Sequence, residues 1–364
     1  MTAREAAEAI AAGVRDTVPA ATLLLHPVCD GGEGLIDIVT PVLHGVQIET
    51  EVTGPLAGQR LNARWGYCPE TGTAIIEMAQ AAGLFLVPER LRDPKTTTTF
   101  GVGELIRAAL DKGAQSFLIG IGGSATNDGG AGMAEALGVR FLDASGAPLG
   151  RGGAALQSLA TIDVSGLDPR LRGKTFTVAC DVHNPLVGPT GASAIYGPQK
   201  GATMSDVELL DAALGRYRDI LKHQLRIDVQ SIPGSGAAGG LGAGLAAFCG
   251  AFLKRGTDVV LDATGFEERL RLSDLVITGE GKLDAQLRFG KALAGVLQRA
   301  GTAGKPVAAV VGMLEGEKTE YLGEGGFLDL ISLVDVSTSP EEAMKDARKL
   351  LQIRAAQLIA RIVR

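Results

Sequence analysis

The stretch Gly120–Gly138, GIGGSATNDGGAGMAEALG, decides the reading of this chain. It follows an apolar run, Ser116-Phe117-Leu118-Ile119, and leads into an alanine-rich segment of helical character. Strand, glycine-rich turn and helix in that order make the basic unit of an α/β fold. Glycines at such a turn permit positive φ and let backbone N–H groups converge, and the helix start adds partial positive charge. Two readings stand side by side. One is a phosphate cradle formed by the N–H groups of Gly122 and Gly123, the hydroxyls of Ser124 and Thr126 and the amide of Asn127. The other is a tight turn whose glycines serve only close helix–strand packing. Asp128, near the helix start, is either a metal ligand or an ordinary cap.

Outward from this loop the chain alternates in type. Thr2 and Glu5 form a T-x-x-E capping box that starts a helix running to about Val14. A strand is expected at Thr22–Leu25, then the turn DGGEG at Asp30–Gly34 and a helix over Leu35–Leu43. From Val46 to Met78, alternating apolar segments separated by GPLAGQ and PETGT predict an antiparallel meander. A threonine-rich loop, Thr96–Thr99, precedes a helix, and a further strand is expected at Phe176–Cys180. Amphipathic periodicity marks a helix over Ser205–Leu225, followed by a buried small-residue helix. From about Asp258 the βα pattern returns, with parallel strands at Leu275–Thr278, Val307–Val311 and Leu328–Leu333. Ser339, Pro340 and Glu342 open the last helix, whose stripe Met344, Ala347, Leu351, Leu358, Ile362 reads as core.

Composition narrows the function classes. The 364 residues suffice for about two domains, and 46% hydrophobic content supplies their cores. Net charge is −6 with no basic block, which argues against nucleic acid and anionic membranes as partners. Cys29, Cys68, Cys180 and Cys249 are scattered, and the four histidines show no metal-ligand spacing. The opening Met1-Thr2-Ala3-Arg4-Glu5 is charged and helical rather than a secretory leader, so a cytoplasmic protein is expected. Ala237–Leu253 is uncharged but glycine-rich, which fits a close-packed buried helix better than a membrane span.

Several separate segments carry a family resemblance. DGGEG at Asp30–Gly34, VTGPL at Val52–Leu56, the Gly120 run, CDVHNPL at Cys180–Leu186, GPQKGA at Gly197–Ala202 and ITGEGKLDAQ at Ile277–Gln286 occur in one order. In this the chain resembles the bacterial glycerate kinase family, from Thr2 to the last helix. The resemblance implies phosphorylation of D-glycerate by ATP with Mg2+, 2-phosphoglycerate being the expected product and 3-phosphoglycerate the alternative. It implies a doubly wound Rossmann-like domain, residues 1–48 with 258–364, carrying an inserted mixed α/β domain, residues 49–257. The active site is expected in the cleft between them, and the assembly is expected to be a monomer or homodimer. It also implies a strand and an APDSFKGSLS-like loop ahead of the first helix. Here the sequence opens on that helix, so Thr22–Leu25 is expected to lack a neighbour, and a catalytically impaired nucleotide-binding relative becomes an alternative.

Phosphoryl transfer requires phosphate neutralisation, oxygen ligands for a metal and a carboxylate near the accepting hydroxyl. No Walker motif is present. Beyond the glycine loop, Glu280 is a candidate for magnesium and nucleotide, Lys282 for the phosphates, Asp284 for substrate and Lys291 for nucleotide. Asp181 at a strand end is either the base toward the hydroxyl or the cap of its own turn. Lys200 is placed to bind a phosphate or the substrate carboxylate, although a solvated lysine reads alike. Asp30 and Glu33 suit magnesium or glycerate hydroxyls, and His26 reads as a satisfied structural residue. GIGGSA with Asp143 downstream also fits a dinucleotide fingerprint, so an NAD-dependent dehydrogenase is the rival class, on a weak pattern.

Overall fold

The computed structural model describes residues 1–283, 292–335 and 337–363. The chain forms two compact units: Gly31–Val259, and a second made of Met1–Asp30 with Val260–Arg364.

The larger unit is built on a six-stranded mixed sheet. Its strands are β1 (Val46–Thr53), β2 (Arg60–Cys68), β3 (Thr73–Glu77), β4 (Ser116–Gly120), β7 (Thr175–Ala179) and β8 (Phe252–Lys254), in that spatial order. A separate hairpin pairs β5 (Arg140–Leu142) with β6 (Thr161–Asp163). The meander is real: β1, β2 and β3 pair antiparallel. From β3 through β4 and β7 to β8 the pairing is parallel. All five residues of β3 are buried, as a strand covered on both faces must be. Phe117 and Phe176 are register partners on β4 and β7, and their rings stack at 4.2 Å. The helix Phe100–Asp111 turns Val102, Leu105, Ile106 and Ala109 inward at helical spacing. A second core forms where the helix Met204–Gln224, started by a Thr203–Asp206 capping box, packs Leu214, Tyr217 and Leu221 with Phe141 and Phe248.

The smaller unit has three parallel strands in the order β11 (Asp329–Ser332), β10 (Val307–Leu314), β9 (Val276–Leu283). Alternation along β10 feeds two cores. Val307, Ala309 and Val311 pack with Phe266, Leu293, Val296 and Phe327, whereas Ala308 and Val310 pack with Ala9, Leu351, Ala355 and Leu358. Both faces of this sheet are therefore covered, which is the doubly wound arrangement. The first helix, Ala3–Thr17, begins at the Thr2–Glu5 capping box and lies against the last helix, Ala347–Ile362. Their approach needs Gly13, where a Cβ would stand 2.1 Å from the Gln352 carbonyl oxygen.

Four expectations need correction. Thr22–Leu25 is not a strand: no described strand pairs with it, Leu24 and Leu25 are exposed, and Arg269 donates to the Leu25 carbonyl instead. Local β propensity does not make a strand without a ladder partner for its backbone groups. The boundary between units falls after Asp30 rather than near residue 48, because the helix Leu35–Val42 packs on β2 and β3. β9 does not stop at Thr278 but continues through Gly279 and Gly281 to Leu283, held by β10 as far as the Leu283–Leu314 pair. The helix opened by Ser339 ends at Lys345, which shifts the phase of the stripe and leaves Met344 exposed.

Candidate active site

The glycine loop leaves the carboxyl end of β4, the edge where open α/β sheets receive ligands. Gly122 and Gly123 are exposed, and Gly123 has φ +70°, so the chain reverses its N–H direction there. The loop is tied to its neighbours through other groups. Leu84 N–H donates to the Gly123 carbonyl (2.8 Å), Ala125 N–H to the Ala82 carbonyl (2.9 Å) and the Thr97 hydroxyl to the Ala125 carbonyl (2.9 Å). The N–H groups of Gly122, Gly123 and Ser124 have no acceptor among the described residues. Three consecutive N–H groups around a left-handed glycine form a concavity suited to an anion. A Cβ at Gly123 would meet nothing nearer than Ala79 Cβ at 3.6 Å, so the space before the turn is open.

Beneath the turn everything is buried. The Asp128 carboxylate accepts from Thr99 N–H (2.8 Å), Thr99 Oγ1 (2.9 Å), Gly130 N–H (3.1 Å) and Gly132 N–H (3.3 Å). Burial raises its pKa, and these bonds oppose the shift. Both carboxylate oxygens are thus committed to the loop and the helix start, the arrangement of a cap. Thr99, missed in the sequence, completes it by accepting from Met133 N–H (3.0 Å) through the same hydroxyl. Thr126 and Asn127 are fully buried rather than lining the open face. Asn127 Nδ2 donates to Ser193 Oγ (2.9 Å), while Thr126 Oγ1 and Asn127 Oδ1 have no partner among the described residues. The small-residue helix Ala237–Cys249 is interrupted by left-handed Ala238, Gly239 and Gly240, which press on this layer. Gly129 N–H donates to the Gly239 carbonyl, and a Cβ at Gly239 would lie 1.9 Å from the Thr126 carbonyl oxygen.

Lys200 is neither solvated nor on the open face. It is 1% exposed, and its ammonium donates to Ser124 Oγ (2.8 Å) and the Thr126 carbonyl (2.7 Å). Burial lowers its pKa to about 7, and the Asp128 charge works in the opposite direction.

The neighbouring strand ends complete this layer. Asp181 follows β7 and Cys180, is half-buried, and accepts from Gly256 N–H at 2.8 Å. Glu77 closes β3 and was not anticipated, although a carboxylate ending the otherwise uncharged strand TAIIE is the signal that marks it. It is buried, accepts from Ile36 N–H (3.0 Å) and Gln80 Nε2 (3.4 Å), and has its pKa raised by burial. The DGGEG turn crosses directly above: a Cβ on Gly120 would meet the Gly31 carbonyl oxygen at 2.3 Å. Glu33 is exposed on that turn, and the helix after it starts only at Leu35, behind Gly34 at φ +88°. The glycines, not helical spacing, therefore set the placement of Asp30 and Glu33.

A sequence model of the glycerate kinase family matches residues 1–364. A glycerate kinase of Halalkalibacterium halodurans is 48% identical over 360 residues, covering 99% of this chain and 94% of the relative. The glycerate 2-kinase of Escherichia coli is 50% identical over 314 residues, 86% of this chain and 82% of that protein. A crystal structure assigned to a glycerate kinase 2 of Salmonella typhimurium LT2 superposes with a TM-score of 0.88 at 46% identity, covering 100% of this chain and 94% of that one. The chain belongs to the glycerate kinase family.

This glycerate kinase family member is thus a kinase, and the dehydrogenase alternative falls. Asp143 sits in an exposed turn beyond β5, where it accepts from Ser145 and Ala147, away from the parallel strands that would present a ribose. In the smaller unit, Glu280 and Lys282 are two residues apart on β9 and so share one face of that strand. Lys282 forms an exposed ion pair with Glu315. Asp284 and Lys291 lie outside the described residues. His26 is a satisfied residue, its ring 2.8 Å from Thr264 Oγ1 and edge-on to Phe266, with burial lowering its pKa to about 4. Among the described residues no three His, Cys, Asp or Glu side chains cluster as a metal site. No helix of the described residues is long and apolar enough to cross a membrane.

Proposed function

We propose that this protein transfers the γ-phosphoryl group of ATP to D-glycerate, giving 2-phosphoglycerate and ADP. The observation that carries the reading is the row of acceptor-free N–H groups at Gly122, Gly123 and Ser124, on an exposed turn at the carboxyl edge of the sheet. Nucleotide phosphates accept hydrogen bonds and donate almost none, so they match this row, and the fixed donors need no reorientation as charge moves onto the phosphates. In the transfer, the bond from the γ-phosphorus to the β–γ bridging oxygen breaks and a bond to a glycerate oxygen forms. The hydroxyl proton passes to a carboxylate, for which Asp181 is the proposed acceptor. Glu280 is the proposed carboxylate for Mg2+, and Lys282 the proposed cation toward the phosphates. Lacking a three-carboxylate cage among the described residues, the chain fits a magnesium ion held by one or two carboxylates together with the phosphates. Mg2+, when bound, neutralises charge shared by the transferring and leaving groups. Asp30 and Glu33 are proposed for the glycerate hydroxyls. The buried thiols of Cys68, Cys180 and Cys249, with no disulfide among the described residues, fit a cytoplasmic location.

The test is ADP release coupled to D-glycerate, with the product identified by NMR. Formation of 2-phosphoglycerate is expected. Formation of 3-phosphoglycerate overturns the regiochemistry, and ATP binding without any product supports an impaired nucleotide-binding relative.

A further inference from the structure

We propose that Lys200 is a positioning residue that fixes the Ser124 hydroxyl as a hydrogen-bond donor toward the phosphate held at the Gly122–Gly123 turn. This rests on the reading of that turn as the nucleotide phosphate site. An ammonium group has three hydrogens to give and no lone pair to receive one, so each of its bonds forces the partner to accept. Lys200 Nζ gives one hydrogen to Ser124 Oγ and one to the Thr126 carbonyl. Ser124 must therefore direct its own hydrogen away from Lys200, and among the described residues no acceptor receives it. The Ser124 backbone N–H is the third member of the row beginning at Gly122. One acceptor-rich ligand at the turn satisfies the N–H row and the hydroxyl together; a donor ligand satisfies neither.

Lys200 itself lies too deep to touch such a ligand. Its approach is fixed by Gly201, at φ +96°, where a Cβ would stand 2.3 Å from the Arg92 carbonyl oxygen. The charged group acting on Lys200 is Asp128, already committed to Thr99, Gly130 and Gly132. A neutral amine gains a lone pair and can accept from Ser124, so loss of the Lys200 proton releases the constraint and lets the hydroxyl turn inward. Burial places that loss near pH 7, inside the range of ordinary assays.

The experiment is calorimetric titration of the full chain with ATP from about pH 6 to about pH 9, in wild type and Ser124→Ala, Lys200→Met and the double variant, with Gly123→Val as reference. Comparison between proteins cancels the titration of ATP itself. One hydrogen bond to a charged acceptor corresponds to roughly tenfold or more in affinity. Below pH 7, Ser124→Ala is expected to bind about tenfold more weakly than wild type. The difference should close as pH rises, and Ser124→Ala should cost less once Lys200 is Met, because the hydroxyl is no longer fixed in direction. Should Lys200→Met fail to fold, the closing difference between wild type and Ser124→Ala still decides. Equal affinities at low pH, or a difference that stays constant across the range, overturn the inference. Unchanged ATP affinity in Gly123→Val instead removes the phosphate reading of the turn, and the inference with it.

Discussion

Lys200 and Lys282 stand in similar sequence, PQKGA and GEGKL, each beside glycines at a place where a phosphate-binding lysine is plausible. The fold treats them oppositely. Lys200 is sealed under the glycine loop with two fixed acceptors, whereas Lys282 projects from β9 and pairs with Glu315 in solvent. The contrast separates two ways for a cation to serve a phosphate. An exposed ammonium can reach the ligand directly and reorganise as charge moves. A buried one acts through the groups it orders, at the cost of desolvation that lowers its pKa. Asp181 and Asp128 repeat the contrast among the carboxylates: one half-buried at a strand end, the other with both oxygens tied into the loop.

Four substitutions sharpen that contrast. Asp181→Asn keeps shape and removes the proposed proton acceptor, so turnover should fall at least about a hundredfold with little change in melting temperature. Normal turnover per folded molecule, with a large loss of stability, would make Asp181 a turn cap instead. Asp128→Asn should show the reverse signature in chemical denaturation. Replacing an acceptor oxygen by an amide facing N–H donors should cost about 2–3 kcal/mol of stability, with turnover per folded molecule changed far less. Lys200→Met should alter how stability responds to pH. The folded protein holds this lysine at about 7 against an ordinary value of 10.5, so between those values the unfolded chain binds a proton that the folded chain does not. Stability from this group therefore rises as pH increases from about 7 toward 10.5. Lys200→Met should remove that slope and Lys282→Met should leave it; identical slopes in all three proteins would contradict the buried assignment. Lys282→Met should have the smallest effect on stability, within about 0.5 kcal/mol as for other exposed pairs. Its turnover should nevertheless drop more than about tenfold if it faces the phosphates.

The glycine loop was legible because its chemistry is local: an apolar strand, glycines and short polar residues, and a helix follow one another without interruption. The meander and the helix starts at Thr2 and Ser339 were legible for the same reason. Lys200 was not, since its acceptors lie 76 and 74 residues away along the chain and only the fold brings them together. Thr22–Leu25 has the composition of a strand, yet a strand is defined by the neighbour that takes its hydrogen bonds. In GEGK the glycines hide a continuing strand from local inspection, and only pairing with β10 holds the segment extended. For Asp128 local sequence offers cap and ligand alike, because both roles place the same residue beside a helix start; its four donors come from the fold.

The proposed catalysis depends on the turn at Gly122–Gly123 holding the phosphates of the nucleotide. Gly123→Val tests it: the added side chain enters open space at the turn, where the nearest neighbour of its Cβ is Ala79 Cβ at 3.6 Å. The cost of a β-branched residue at positive φ is about 1–2 kcal/mol, which a folded domain of this size should tolerate. Titration of the folded variant with ATP should show affinity weakened by more than about a hundredfold, the equivalent of two or more lost charge-assisted hydrogen bonds. A variant that melts cooperatively and binds ATP as tightly as wild type would contradict the account.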